Sequence, residues 1–521
     1  MNKQRIEILD STLRDGAQGE GISFSVNDKL NIVAALDAFG VDYIEAGNPG
    51  SNPKDLEFFE KASELKLKHS KLCAFGSTRR YNVNACDDSN IKSLLSANTP
   101  TVVIFGKTWD LHVTEILKIS LEDNLELVKD TVTYLKSMSK EVVFDAEHFF
   151  DGYKASPEYA MKVLAAAADG GADSLALCDT NGGTMPIDIF EITKKVAEKF
   201  SNIKIGIHCH NDTDCAVANS LMAVCAGAGQ VQGTFTGIGE RCGNANLSSI
   251  IPDLKLKNGY DCNGDMAILS ETARRIAEIA NTQIDNSRPY VGSSAFAHKA
   301  GMHIDGVLKL SRSFEHIDPS LVGNKRKFLM SEVSGRSTIL NKIKNFAPQL
   351  DKDSKETAQI LEKLKEQEHF GYHFEAADAS FELLVKKVLG IYKPSFNLVL
   401  YKTMGEFPVP VGGMAASATI KVEVGGEEEI TAVMGIGPVN ALDLALRKAL
   451  TVFYPSIREM RLIDYKVRVL EQNSSTTAKV RVLIETTDEK KTWTTIGVSN
   501  DIIEASLIAL VDSIEYKLSL S

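Results

Sequence analysis

"IKIGIHCH", residues 203–210, is an apolar run that ends in two histidines. Its length and its isoleucines mark a strand buried on both faces, the kind a parallel sheet needs. His208 and His210 stand two apart, so their side chains share one face of that strand. With Asn211 and Asp212 following, the residues alone leave two readings. Either these are two hydrogen-bonded core histidines, or both imidazoles turn to one metal ion, for which neutral imidazole is the commonest ligand. What the other strands bring to the same end decides between them.

Working outward, seven more runs of this kind occur. They are "IEILD" (6–10), "DYIEAG" (42–47), "KLCAFG" (71–76), "TVVIFG" (101–106), "EVVFDAE" (141–147), "DSLALCDT" (173–180) and "QVQGTFTG" (230–237). Helix-like segments separate them, such as "SVNDKLNIVAALDAFG" and "SPEYAMKVLAAAADGG", the latter with Ser156 as N-cap and Pro157 at the first helical position. Strand–helix alternation implies a parallel sheet, and eight units in about 250 residues is the count of a (β/α)8 TIM barrel. An open doubly wound sheet would carry a dinucleotide loop after its first strand; there is none, and "GIGERCG" (237–243) lacks the spacing.

Active sites of such barrels lie at the C-terminal strand ends. Arg14 and Asp15 follow the first strand, Glu45 ends the second, and Asp145 and Glu147 end the fifth. Asp179 and Thr180 follow on the sixth, the histidine pair on the seventh, and Glu240 and Asn244 after the eighth. Packing does not explain so many polar strand ends. Closure makes strands one and eight neighbours, which brings Asp15, Asn244, His208 and His210 together. One carboxylate, two imidazoles and an amide oxygen suit Mn²⁺, Zn²⁺, Co²⁺ or Mg²⁺ with positions open for substrate. The pair therefore reads as a metal site.

The bulk numbers bound the rest. A chain of 521 residues exceeds one core. A net charge of −11 gives no footprint for nucleic acid or an anionic membrane surface. The eight cysteines form no Cys-x-x-Cys pair and suggest neither a disulfide framework nor a zinc knuckle. No signal-like stretch opens the chain and no run is long enough to span a bilayer, so a cytoplasmic location is expected. The barrel is expected over 1–264, a helical linker region over 265–390, and a separate α+β domain over 391–521. The linker contains a polar stretch, "LVGNKRKFLMSEVSGRS" (321–337), and "HKAGMHIDG" (298–306), which taken alone could be a loop with surface histidines. The last part repeats a ββα-type unit, with "GIGPVNA" answering "TIGVSND" before each helix. A duplicated module of this kind could bind an effector, whose carboxylate a helix N-terminus attracts, or serve dimerisation alone.

"STLRDGAQ" (11–18), "HCHND" (208–212), "GIGERCGN" (237–244) and "HKAGMHIDG" (298–306) together resemble the signatures of the family of α-isopropylmalate, homocitrate and citramalate synthases. The likeness runs along the whole chain. It implies a metal-dependent barrel that joins acetyl-CoA to a small 2-oxo acid by Claisen condensation and then hydrolyses the thioester. "FGKTWDLHV" (105–113) and "AEHFFDGYK" (146–154) are similar to the branch that takes pyruvate. The resemblance makes Asp15, His208 and His210 metal ligands and Asn244 a more distant fourth. It gives Arg14 the developing alkoxide, Thr180 the 2-oxo acid carboxylate, and Glu147 a catalytic role, with His303 and Asp305 reaching over from the linker. Glu45, Phe75, Phe105 and Asp145 are expected to line the substrate pocket, and the two phenylalanines to leave little room for an isopropyl group. Several relatives have tyrosine where this chain has Phe314. The tail resembles an allosteric leucine- or isoleucine-binding dimerisation domain, so isoleucine regulation and a homodimer are expected. The rivals are an isopropylmalate synthase, a carbon–carbon lyase on the same barrel, and a non-catalytic effector-binding paralogue, which a broken ligand set would betray.

Overall fold

The computed structural model describes residues 4–329, 340, 343, 347–351, 353–374, 377–409, 412–470 and 478–520. All eight apolar runs form strands: β1 (Arg5–Asp10), β2 (Tyr43–Glu45), β3 (Lys71–Ser77), β4 (Thr101–Lys107), β5 (Glu141–Glu147), β6 (Ser174–Asp179), β7 (Lys204–Cys209) and β8 (Gln230–Gly233). Each pairs in parallel with the next, and β1 pairs with both β2 and β8, which closes the barrel. A short strand β9 (Asp261–Cys262), not anticipated from the sequence, adds to the start of β1.

The two-residue period of a strand explains how one chain builds both core and site. Leu9, Tyr43, Cys73, Val103, Val143 and Ala176 form an apolar layer inside the barrel. Two residues further along the same strands stand Glu45, Phe75, Phe105, Asp145 and Cys178, and two beyond those Lys107, Glu147 and Thr180. The alternate residues, such as Val102, Ile104, Phe144 and Leu177, are fully buried and belong to the larger core that includes the helices.

Local signals set the helix ends. Ser25 and Asp28 form a capping box at the start of the helix Val26–Phe39, and Gly40, at φ 98°, ends it in the left-handed conformation. Ser156 departs from expectation: its side chain makes no cap hydrogen bond. A short helix, Phe149–Ala155, runs into it, and its N–H donates to the Gly152 carbonyl instead. β8 ends at Gly233, earlier than the apolar run suggested. The chain returns there, and a Cβ on Gly233 would lie 2.3 Å from the carbonyl oxygen of Ala245.

The contacts divide the chain into two units, 1–296 with 317–326, and 297–316 with 327–521. In the second unit β10 (Ala297–His298) pairs with β11 (Lys327–Phe328), and the helix Gly301–Leu310 carries His303 and Asp305. Residues 330–337 of the polar stretch lie outside the described residues. The duplicated tail is present, and each copy opens with a strand ahead of the ββα-type unit that the sequence pattern marks. β12 (Asn397–Gly405), β13 (Ala416–Val424) and β14 (Glu427–Gly435) form one antiparallel sheet followed by the helix Pro438–Thr451. β15 (Arg461–Val469), β16 (Val480–Thr487) and β17 (Thr492–Ser499) form the other, followed by the helix Ile502–Leu518. Ile420, Val422, Leu442 and Leu446 of the first copy and Val482, Ile484 and Leu510 of the second share one core. Among the described residues no helix is long and apolar enough to cross a membrane.

Candidate active site

At the C-terminal mouth of the barrel, Asp15, His208 and His210 offer ligand atoms that all lie within 4.8 Å of one another. Asp15 Oδ2 is 3.4 Å from His208 Nε2 and 3.7 Å from His210 Nε2, and all three side chains are buried. Asn244 joins them through the backbone. Residues 210 and 244 form an antiparallel bridge, and the Asn211 N–H donates to the Gly243 carbonyl. Gly243 makes this turn possible: it sits at φ +89°, and a Cβ there would lie 2.1 Å from Gly237 O.

The donor set fits a divalent cation. Asp15 Oδ1, His210 Nδ1 and both amide atoms of Asn244 are buried and find no hydrogen-bond partner among the described residues. Buried polar groups are ordinarily satisfied, and an ion would satisfy the Asp15 oxygen and suit the amide oxygen of Asn244, whereas the Asn244 NH2 only donates. Burial alone would raise the Asp15 carboxyl, but the charge of Arg14 and the hydrogen bond to His208 pull it well below the ordinary carboxylate range. Burial and the neighbouring His208 push His210 down to about 4, which favours the neutral imidazole a metal requires.

Arg14 is pinned on three sides. Its Nε donates to Glu45 Oε2 at 2.6 Å, its Nη1 to Asp15 Oδ2 at 2.9 Å, and its guanidinium lies 3.9 Å from the centre of the Phe75 ring. The Ser11 hydroxyl donates to the same Glu45 oxygen. Phe75 in turn stacks on Phe105, with ring centres 5.4 Å apart. Burial opposes charge on Arg14, yet Glu45 and Asp15 more than offset this and hold its pKa above the ordinary range. Burial, reinforced by the charge of Glu45, pushes Asp145 up to about 7.

A cavity of about 220 Å³ opens beside these groups, lined among others by Arg14, Asp15, Phe75, Phe105, Glu147 and Thr180. Asp145, His208 and His210 also face it. Glu147 is ion-paired to Lys107 at 2.5 Å, and the Thr180 hydroxyl accepts from the N–H of His148, which is held at φ 55°. Glu45 and Asn244 do not line this cavity; Glu45 lies behind Arg14, and Asn244 beside His210. His303 and Asp305 belong to the second unit, where the His303 ring lies 5.3 Å from that of Phe314 and Asp305 pairs with Lys309 at 2.6 Å.

With the geometry in hand, comparison with known proteins is direct. The HMGL-like family model matches residues 5–276, the homocitrate synthase post-HMGL domain-like model 290–370, and the LeuA allosteric (dimerisation) domain model 375–518. The (R)-citramalate synthase of Aquifex aeolicus is 54% identical over 99% of this chain and 98% of its own length. That of Geobacter sulfurreducens is 52% identical over 98% and 97%. The chain belongs to the (R)-citramalate synthase family. A probable 2-isopropylmalate synthase of Archaeoglobus fulgidus, covered to the same extent, is only 31% identical.

Two side chains at this site went unnoticed in the sequence. Lys107 stands inside "FGKTWDLHV", but only the strand register places it opposite Glu147. Gln232 stands on β8, a strand buried along its whole length, and a buried amide there is itself a signal, because it needs partners.

Proposed function

We propose that this protein makes (R)-citramalate and CoA from acetyl-CoA, pyruvate and water. Near-full-length identity above 50% to proteins of that name is the observation that supports this reading. An intact ligand set also speaks against a non-catalytic effector-binding paralogue.

Asp15, His208, His210 and Asn244 would hold a divalent ion (Mn²⁺, Mg²⁺, Zn²⁺ or Co²⁺), which would supply a Lewis acid to polarise a keto carbonyl. The remaining work falls to side chains. The Thr180 hydroxyl binds the pyruvate carboxylate. Phe75 and Phe105 wall the methyl group and exclude larger branches. Glu147 takes a proton from the acetyl methyl group, and positioned bases of this kind contribute about 10²–10⁴-fold. His303 with Asp305 is the other candidate for that proton. As the enolate attacks C2, Arg14, which Glu45 and Phe75 hold in place, stabilises the oxygen that gains charge. Hydrolysis of the thioester then drives the reaction forward. The duplicated tail is read as the element that pairs two copies into a homodimer and binds isoleucine.

Free-thiol release from acetyl-CoA, measured against a panel of 2-oxo acids, tests the assignment. Pyruvate should give the highest kcat/KM, 2-oxobutanoate less and 2-oxoisovalerate least. A panel won by 2-oxoisovalerate makes the protein an isopropylmalate synthase.

A further inference from the structure

Gln232 takes no part in the chemistry above, yet it is fully buried on β8 between Asp145 of β5 and His208 of β7. Its Nε2 donates to Asp145 Oδ1 at 2.9 Å, and its Oε1 lies 3.1 Å from His208 Nδ1. In its ionised form Asp145 only accepts hydrogen bonds, so its carboxylate draws the NH2 end of the amide to itself. The carbonyl end must then face His208, and it too can only accept. Nδ1 of His208 therefore carries a ring proton. A metal ion would take the place of the Nε2 proton that His208 shares with Asp15 at 3.4 Å, and with Nδ1 still protonated the ring then offers its lone pair at Nε2. The two histidines differ here, because His210 Nδ1 has no partner among the described residues.

We propose that Gln232, oriented by Asp145, is the positioning residue that fixes the tautomer of His208 for metal binding. The inference rests on the reading of His208 as a ligand. It adds that an amide three strands from Asp145 around the barrel controls the affinity of the site without touching the ion. Outer partners of a metal-bound histidine typically hold about 10–100-fold in metal affinity.

The test is calorimetric titration of Mn²⁺ into the metal-free full-length protein at pH 8, with folding of each variant checked by circular dichroism. Gln232→Leu should weaken Mn²⁺ binding by about 10–100-fold. Asp145→Asn, nearly isosteric, should weaken it too, since an amide at 145 can donate to Oε1 and let Gln232 turn over. The double variant should be no worse than Gln232→Leu alone. Wild-type affinity in either single variant, or losses that add in the double variant, would overturn the proposal. If Gln232→Leu does not fold, Asp145→Asn together with the ¹⁵N shifts of the His208 ring decides it: a wild-type ring without a proton on Nδ1 defeats it. Wild-type affinity in His208→Ala defeats the ligand reading instead.

Discussion

Lys107 and Glu147 stand opposite each other in register on β4 and β5, with Nζ 2.5 Å from Oε2. Both side chains are about four-fifths withdrawn from solvent, at 19% and 23% exposure. The Thr108 hydroxyl, one residue past β4, donates to the Glu147 carbonyl at 2.5 Å, so backbone and side chain of Glu147 are both tied to the end of that strand. Misplacing a catalytic group by about 1 Å can cost 10²-fold in rate. Lys107→Met should therefore lower kcat by about 10–100-fold while leaving the KM for pyruvate nearly unchanged, and Lys107→Arg should recover part of the loss. Steady-state kinetics on the three proteins check this. A rise in KM with kcat intact would mean that Lys107 binds substrate and does not position Glu147.

The stacked Phe75 and Phe105 rings give a second expectation. Each methylene accommodated or refused is worth about 1–3 kcal/mol. Phe105→Ala should raise kcat/KM for 2-oxoisovalerate relative to pyruvate by at least about tenfold. Phe75→Ala removes the ring under the Arg14 guanidinium as well, so it should lower kcat for every 2-oxo acid. An unchanged substrate ratio in Phe105→Ala would place the specificity wall elsewhere.

Much of this site was legible because burial follows simple periods. Parallel strands closed into a barrel are apolar on both faces, so each of the eight announced itself as a run. Site residues then fell at the polar ends of those runs. β12 and β15 were not legible for the opposite reason. "NLVLYKTMG" and "RLIDYKVRV" are exposed or half-exposed along their whole length, and no face of either is buried enough to leave a period. The early end of β8 depends on a backbone that returns at Ala245, and the Lys107–Glu147 pair on register between strands. The partners of Gln232 lie 24 and 87 residues away in the chain, beyond what any local pattern records.

Asp10 ends β1 fully buried, with Oδ2 lacking a partner among the described residues. Burial raises its pKa from 3.8 to about 7, although hydrogen bonds from Thr12 work against this. Between those two values the folded protein holds a proton that the unfolded chain has released. Stability should therefore fall as pH rises from about 4 to about 7, with the full penalty present above that range. Asp10→Asn removes the titration. Relative to wild type it should gain stability on going from pH 5 to pH 8, by on the order of a few kcal/mol. Urea denaturation at both pH values measures the difference. A variant-minus-wild-type gap that does not change with pH would show that Asp10 ionises normally.

The two helix starts of the duplicated tail are not equivalent. Asp501 caps the second helix with its own carboxylate, bonded to the Ile503 N–H at 2.8 Å, whereas Gly437 gives the first helix no side-chain cap. An amino-acid carboxylate is repelled by the occupied end and attracted to the other, so one effector per chain is expected at the Gly437 end. Isoleucine should inhibit the intact protein, leucine much less. Coupling between remote sites typically amounts to about 1–3 kcal/mol, or 5–150-fold in affinity. Deleting residues 391–521 should abolish this inhibition. The deletion also uncovers Phe381 and Val385, which share a core with Ile496, and removes Asp512, the partner of the Ser380 hydroxyl. Activity of the shortened protein should fall for that reason alone, so each protein is compared with its own rate without isoleucine. Equal fractional inhibition of both, or no heat on titrating isoleucine into the intact chain, would leave the tail as a dimerisation module only.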